Sequence, residues 1–478
     1  MQAKYGRAVT IGSIPESEWS AIAGKGFDWV WLMGVWRRSP FARDHALRDS
    51  HLSKAYTELL GDWTPNDVGG SPYAVYGYEI DHFLGTNEDF VRLRKNLRSA
   101  GLNLMLDFVP NHLAVDHPLT VHHPEFFIQA SKKCLKEHPD WFFQTPSGSW
   151  LAHGRDPYFP PWVDTAQVNF FSKKTRRALI EEIFKIADLC DGVRCDMAML
   201  GLNKIFARVW SDWIDEKEPP EEFWAQAIGE VREKYPAFVW MGEVYWDLEW
   251  DLQQLGFNFT YDKRLYDRLK SSSPEDIRGH LRADREYQQH SVRFIENHDE
   301  ERSAACFGDL RAMAAASVIA TTQGLRFFQD GQLEGKRLRT PIHLRREAPE
   351  KNDPILVDFY RMLLDYINAP VFQSGVWKLI ECSPSSEFNE TYRNLLAWSW
   401  ESENDRRLIV INYSAEPAQA WIPAEFLADR EKTSRLRDRR TGEIYKRDRE
   451  ELLARGLYVD LKPWHMHLFE RIMPRKGA

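Results

Sequence analysis

The sequence predicts an α/β chain, a (β/α)8 TIM barrel with a rim insertion after its third strand and a C-terminal antiparallel β-sandwich domain. Three observations predict it. From Trp29 to Phe328, short and nearly unbroken apolar stretches alternate with amphipathic helical patterns, as expected of a parallel sheet covered on both faces. Acidic residues close several of those stretches. From Leu395 the pattern changes to alternation, in LLAWSW, LIVINYS and GLYVDLKPWHMHLFE, with turn signals between; that is the pattern of antiparallel strands with one wet face.

Taken in order, Arg7–Ile11 is the stretch ahead of the helix starting near Pro15 that would supply a first strand; otherwise that strand is missing and the barrel is partly open. Strands are expected at Trp29–Met33, Leu102–Phe108, Gly192–Cys195, Phe238–Met241, Phe257–Tyr261, Val292–Ile295 and Leu325–Phe328. Helical patterns fall at Asn87–Ser99, Lys173–Leu189, Phe223–Lys234 and Leu310–Thr322. Seven or eight such units favour a barrel over a doubly wound sheet. Two stretches interrupt the rhythm. Val35–Tyr76 is a polar, Pro/Gly-rich excursion, and the chain after Asn111–His112 is dense in Pro, His and aromatic residues (HHPEFF, HPDWFFQ, DPYFPPW) as far as Val168. Loops this long in a compact domain are usually functional, and in a barrel they decorate the C-terminal rim. The expected division is residues 1–112 and 169–385 for the barrel, 113–168 for the insertion and 386–478 for the β-domain.

Composition narrows the function. With 63 basic and 71 acidic side chains the net charge is −8, which argues against a nucleic-acid partner because phosphate binding needs a basic face. A hydrophobic share of 43% and a charged share of 28% exclude a disordered chain. The weakly polar run Met313–Thr321 is far shorter than the ~20 residues of a membrane span, and no signal-like segment opens the chain. Five scattered cysteines with no CxxC read as reduced thiols in a cytoplasmic protein; Cys190 and Cys195 bracket a strand and read as core. His465 and His467 share a face of the last strand, which by itself is weak metal evidence. The surplus is in 19 Trp and 17 Tyr. Most such rings are core, yet flat, half-polar rings are also what a sugar-binding cleft uses.

The chemistry sits at strand ends. Asp107 ends LNLMLD, Asp196 ends GVRCD, Glu243 ends VWMGE and Asp299 ends RFIENHD. One such acid is ordinarily a helix cap. Four, two of them with Arg, His or Asn within two residues, are harder to explain as caps, and a barrel brings the ends of distant strands to one rim. Glycoside cleavage needs two carboxyls, one protonated toward the leaving oxygen and one facing the anomeric carbon. Arg194, two before Asp196, points to the same side of the strand and would keep Asp196 ionised. Glu243 beside Met241 and Trp240 is better placed to serve as the acid. The plainer alternative for Arg194–Asp196 is a structural ion pair.

The segments LDFVPNH, DGVRCDMA, WMGEVYW and FIENHDEER resemble, in order and at the right strands, the four conserved regions of the α-amylase family, glycoside hydrolase family 13. With Tyr76–Asp81 and the terminal β-domain, the resemblance spans nearly the whole chain. It implies a retaining α-glycosidase acting on α-glucans and malto-oligosaccharides, α-1,4 preferred. Asp196 would be the nucleophile, Glu243 the general acid/base and Asp299 the third acid that grips sugar hydroxyls. By the same resemblance His112 and His298 bind hydroxyls, Arg194 orients Asp196, and Tyr78 stacks beneath the ring. Tyr245, Trp246 and the Arg155–Trp162 segment are candidate rim contacts. No cofactor is implied: Asn111 matches a family calcium ligand, but the place where many relatives carry Lys-His reads Met199–Leu200. The alternatives are a transglycosylase or sugar isomerase of the same fold, and a non-catalytic carbohydrate-binding protein.

Overall fold

The computed structural model describes residues 2–472 except Arg430, and of Gln2 and Ala3 the backbone alone. The chain divides into two compact units: Met1–Tyr261 with Thr340–Pro349, and Asp262–Arg339 with Glu350–Ala478.

The first unit carries five parallel strands: β1 Trp29–Leu32, β2 Asn103–Phe108, β3 Gly192–Cys195, β4 Val239–Gly242 and β5 Phe259–Tyr261. They lie side by side in that order. The register opposes Trp29 to Asn103, Asp107 to Arg194 and Gly242 to Cys195. Gly192 is required at the start of β3, because a Cβ there would stand 2.6 Å from the Val239 carbonyl oxygen. Helices Asn87–Ser99, Lys173–Ala187 and Phe223–Lys234 separate the strands. The first has a capping box, with Thr86 accepting from the Asp89 N–H, and buries Phe90, Leu93 and Leu97, the spacing of one helix face.

Arg7–Thr10 forms no strand; Ile11–Ser13 is one 3-10 turn whose Ile11 N–H donates to the Leu84 carbonyl. The first expected strand is therefore absent among the described residues. The Val35–Tyr76 excursion is more regular than its composition implied. It holds helices Pro40–Arg48 and Ser50–Leu59, capped by Ser39 and Asp49, so the Ser, Asp and Pro that read as loop are helix starts. The stretch from His112 to Val168 is built on two short antiparallel pairs, His112–Ala114 with Thr165–Gln167 and Phe142–Gln144 with Trp150–Ala152.

The second unit contains a parallel pair, β6 Ser291–Arg293 and β7 Leu325–Arg326, and the helix Asp309–Thr321, buried from Ala312 onward. Beyond them lies a six-stranded antiparallel sheet in the order Val376–Ile380, Leu395–Glu401, Arg406–Asn412, Met466–Arg471, Thr433–Asp438 and Ile444–Asp448, with a three-stranded sheet of Ser383–Pro384, Ala418–Ile422 and Leu457–Leu461. Alternate residues of both sheets, among them Leu395, Leu408, Ala420, Ile422, Val459 and Phe469, share one apolar core, the construction of a β-sandwich. Much of the aromatic surplus is structural. Trp36, Trp210, Trp224, Trp240 and Trp398 are fully buried, and Trp400 donates its indole N–H to the Thr321 carbonyl at 2.6 Å. The two late histidines part company: His467 bonds Asp438 and His465 the Pro463 carbonyl. No helix among the described residues is long and apolar enough to cross a membrane.

Candidate active site

The strand register explains why the charged residues of the first unit meet. Asp107 on β2 stands opposite Arg194 on β3, and Met241 of β4 stands opposite Arg194 from the other side. Two residues past Arg194, Asp196 leaves the strand; one residue past β4, Glu243 does the same. The Arg194 guanidinium, with no exposed surface, lies among all three carboxylates. Its Nη1 donates to Asp196 Oδ1 at 2.7 Å and lies 3.5 Å from Asp107 Oδ1, and its Nη2 lies 2.7 Å from Glu243 Oε2. Its Nε donates to the Tyr261 hydroxyl at 3.3 Å, and the rings of Trp31, Tyr73 and Tyr261 surround it at 5.2–5.6 Å.

Each carboxylate is fixed from a second direction. Glu243 Oε1 accepts from the Tyr245 hydroxyl at 2.7 Å, and Oε2 from the Met197 N–H at 2.8 Å. The Asp196 N–H donates to the Phe108 carbonyl, and the Gly34 N–H lies 3.4 Å from Asp107 Oδ2. Asp196 is pushed up to about 8, first by burial and then by the fields of Glu243 and Asp107, with Arg194 opposing. The expectation that Arg194 keeps Asp196 ionised is thereby corrected. One guanidinium faces three buried carboxylates, so the cluster retains a proton near neutrality. Arg194 itself is held well above its usual range, because Glu243, Tyr73, Tyr261 and Asp196 outweigh the burial that opposes its charge.

His112 is buried beside this cluster, its ring 5.1 Å from that of Trp162. Burial pushes it down to about 4, against a bond with the Tyr73 backbone, so it is a neutral hydrogen-bonding group at physiological pH. Its neighbour Asn111 is clasped by Gln167, whose Nε2 donates to Asn111 Oδ1 and to the Asn111 carbonyl, each at 3.0 Å. Backbone strain gathers here as well. Met197, Trp246 and Asp247 have φ of +43°, +66° and +61°, a region that non-glycine residues adopt only when held there. Trp246 packs edge-on against Tyr158 at 5.0 Å.

Tyr78 does not join this group. Its hydroxyl is tied to the Val109 N–H and carbonyl, and its ring packs on Trp36 and Phe108. It lines a cavity of about 460 Å³ shared with Thr175, Leu179 and Glu182 of the helix Lys173–Ala187. Tyr73 is the ring that faces Arg194. The Gly-Tyr pair drew attention to Tyr78, whereas the Pro-Tyr turn just before the strand is the informative signal. Tyr261 was legible by the rule that found the acids, since it closes strand β5.

In the second unit, His298 and Asp299 stand together, with Nε2 of one 3.1 Å from Oδ2 of the other. Their loop is clamped from below. Fully buried Glu296 accepts from Arg302 Nη1 at 2.8 Å and from the Ser303 N–H and hydroxyl at 2.6 and 2.7 Å. Asn297 Oδ1 accepts from the Asp299 N–H at 2.9 Å. The Asp299 side chain is left 41% exposed.

Comparison with known proteins gives the family and the fold. The family model "Alpha amylase, catalytic domain" matches residues 70–337. The chain is 25% identical over 368 residues to alpha-amylase MalA of Haloarcula japonica, covering 74% of this chain and 50% of that protein. It is 26% identical over 229 residues to an alpha-1,4-glucan:maltose-1-phosphate maltosyltransferase of Pseudomonas aeruginosa, covering 47% of this chain and 28% of that one. The chain thus spans half or less of the length of these curated relatives. Its fold matches the crystal structure of a maltogenic alpha-amylase, AmyB, from Thermotoga neapolitana with a TM-score of 0.67 at 20% identity, over 96% of this chain and 94% of that one.

Proposed function

The chain belongs to the alpha-amylase family of glycoside hydrolases, and from that premise we propose that it is a retaining enzyme acting on α-1,4-linked glucans by double displacement. The observation that carries this reading is the single buried guanidinium of Arg194 holding Asp196 and Glu243 at 2.7 Å each. In the proposed cycle Glu243 gives a proton to the glycosidic oxygen while Asp196 attacks the anomeric carbon, forming a glycosyl ester. Glu243 then takes a proton from water, which displaces Asp196 on the same face. Arg194 orients both groups, His112 bonds sugar hydroxyls as a neutral imidazole, His298 also bonds them, and Asp299 grips hydroxyls as charge develops.

A second acceptor is also supported. Tyr158 and Phe159 are 54% and 65% exposed, beside Trp246, three residues past Glu243. Such rings favour a sugar over water as the group that intercepts the ester, in keeping with the maltosyltransferases among the relatives. Digestion of maltoheptaose followed by product analysis tests both. Release of the α-anomer first is expected; a β-anomer first would sink the retaining assignment. Products longer than the substrate would reveal transfer.

The reading includes no calcium. The Asn111 Oδ1 that would face a cation accepts from the Gln167 amide, and Met199–Leu200 stand where many relatives carry Lys-His. Activity unchanged by a chelator is the expected outcome. The five free thiols fit a reducing, cytoplasmic setting.

A further inference from the structure

Three arginines of the first unit crowd around the turn Val68–Gly70. Arg43 donates to the carbonyls of Val68 and Pro65, at 2.9 and 2.8 Å, which is the work of a loop staple. Arg38 donates through Nη1 to the Gly70 and Ile342 carbonyls, at 3.0 and 3.5 Å. Arg345 differs. Its guanidinium lies flat on Phe83, 3.3 Å from the ring centroid, and its buried Nη1 has no hydrogen-bond partner among the described residues. Among the described residues none of the three forms an ion pair there, unlike Arg346, which holds both Asp62 and Asp67. Asp81 is the carboxylate whose field reaches both Arg38 and Arg345, and its oxygens face the backbone N–H groups of Phe83 and Arg38.

The glycines bring the two cations together. A Cβ on Gly69 would stand 2.8 Å from Arg38 Nη1 and 2.9 Å from Arg345 Nε, too close for a side chain, so both guanidinia close on the bare Gly69 backbone from two sides. Two like charges at such range, half-buried and with a donor unused, are balanced by the single charge of Asp81 only in part, and a second anion would complete the balance. His343, half-buried in the same group, is pushed down to about 4 by that partial burial and by Arg38 and so adds no charge. The position is close to the catalytic carboxylates. A Cβ on Gly34 would stand 2.9 Å from Arg38 Nη2 and 3.0 Å from Pro72, and the Gly34 N–H faces Asp107. One glycine therefore separates Arg38 from the Arg194 cluster, with Tyr73 next along the chain.

We propose that Arg38 and Arg345 bind a phosphate ester carried by the sugar substrate, so that the enzyme prefers phosphorylated α-glucosides over neutral ones. Planar guanidinium forks match tetrahedral phosphate oxygens in pairs. The substrate part of this inference rests on the glycosidase reading above; the anion site itself does not.

The test has two arms. Titration of the full chain with inorganic phosphate, followed by calorimetry, is expected to show saturable binding that Arg345→Gln abolishes and Arg345→Lys weakens. Absence of binding to the unmodified protein, or binding unchanged in Arg345→Gln, would overturn the site without bearing on catalysis. In the second arm, maltose bearing a phosphate ester on its non-reducing glucose is expected to be cleaved with at least tenfold higher kcat/KM than maltose, the ratio falling toward one in Arg345→Gln. Equal kcat/KM for the two sugars overturns the preference. Release of sugar 1-phosphate from maltose plus inorganic phosphate also overturns it, since phosphate would then be the acceptor and not a substituent. Phosphate binding in a protein inert on every glucoside would leave the site standing and remove the hydrolase reading instead.

Discussion

At the scale of single residues, the molecule turns on how one guanidinium manages three buried carboxylates. The buried cluster around Asp196 keeps one shared proton up to about 8, against a reference value of 3.8 for that carboxyl. Between those values the unfolded chain binds fewer protons than the folded one, so this group's contribution to stability falls as pH rises. Two outcomes follow. The kcat/KM profile should lose activity above about pH 8, as the cluster gives up the proton that catalysis passes to the leaving oxygen. Asp196→Asn should lose activity by about four orders of magnitude, yet its melting temperature should fall less than that of the unmodified protein between pH 6 and pH 8. An alkaline limb unchanged from that of Asp107→Asn would argue against a shared proton. The two tyrosines separate by the same logic. Tyr73→Ala should cost about tenfold or more in kcat/KM through the lost ring beside Arg194, whereas Tyr78→Phe, which frees the Val109 backbone groups, should cost about 1 kcal/mol in stability with KM unchanged.

At the scale of elements, what the sequence revealed depended on how local the signal was. Strand β3 and the helices Asn87–Ser99 and Phe223–Lys234 have the expected bounds, because an apolar period and a cap are read within a dozen residues. Strands β5, β6 and β7 are shorter than their apolar runs, since apolarity marks burial and pairing requires a neighbour in register. The acids at strand ends were legible as candidates because strand direction sends them to one rim. Their environment was not, for Asp107, Arg194 and Met241 meet through a register that no single segment encodes. The turn holding Asp299 offers a test at this scale. Glu296→Gln leaves Arg302 as a buried charge without its partner and should destabilise by on the order of 3 kcal/mol. Activity should fall as well, through Asp299 being less well held; rescue by Glu296→Asp would assign the effect to charge and not to shape.

At the scale of the whole molecule, the chain is two units, each with a core of its own, and a terminal sandwich that the change of hydrophobic period announced. The cysteines bear on the whole chain. All five are free, so the melting temperature should be the same with and without a reducing agent; a drop on reduction would point to a disulfide and away from a reducing compartment. The Trp surplus, by contrast, was ambiguous from composition, because a ring that packs a core and a ring that meets a sugar are the same residue. Burial resolves it for Trp224 and Trp240, and the long excursion keeps Tyr158 and Phe159 outside.

The left-handed pair Trp246–Asp247 has an engineering consequence. Each non-glycine residue in that conformation gives up roughly 1–2 kcal/mol, so Asp247→Gly is a cheap route to a more heat-resistant protein. The same change would slacken the segment that follows the acid/base. Directed evolution for thermostability should therefore find this position early, and the winners should be slower enzymes, a trade that screening for survival alone would not detect.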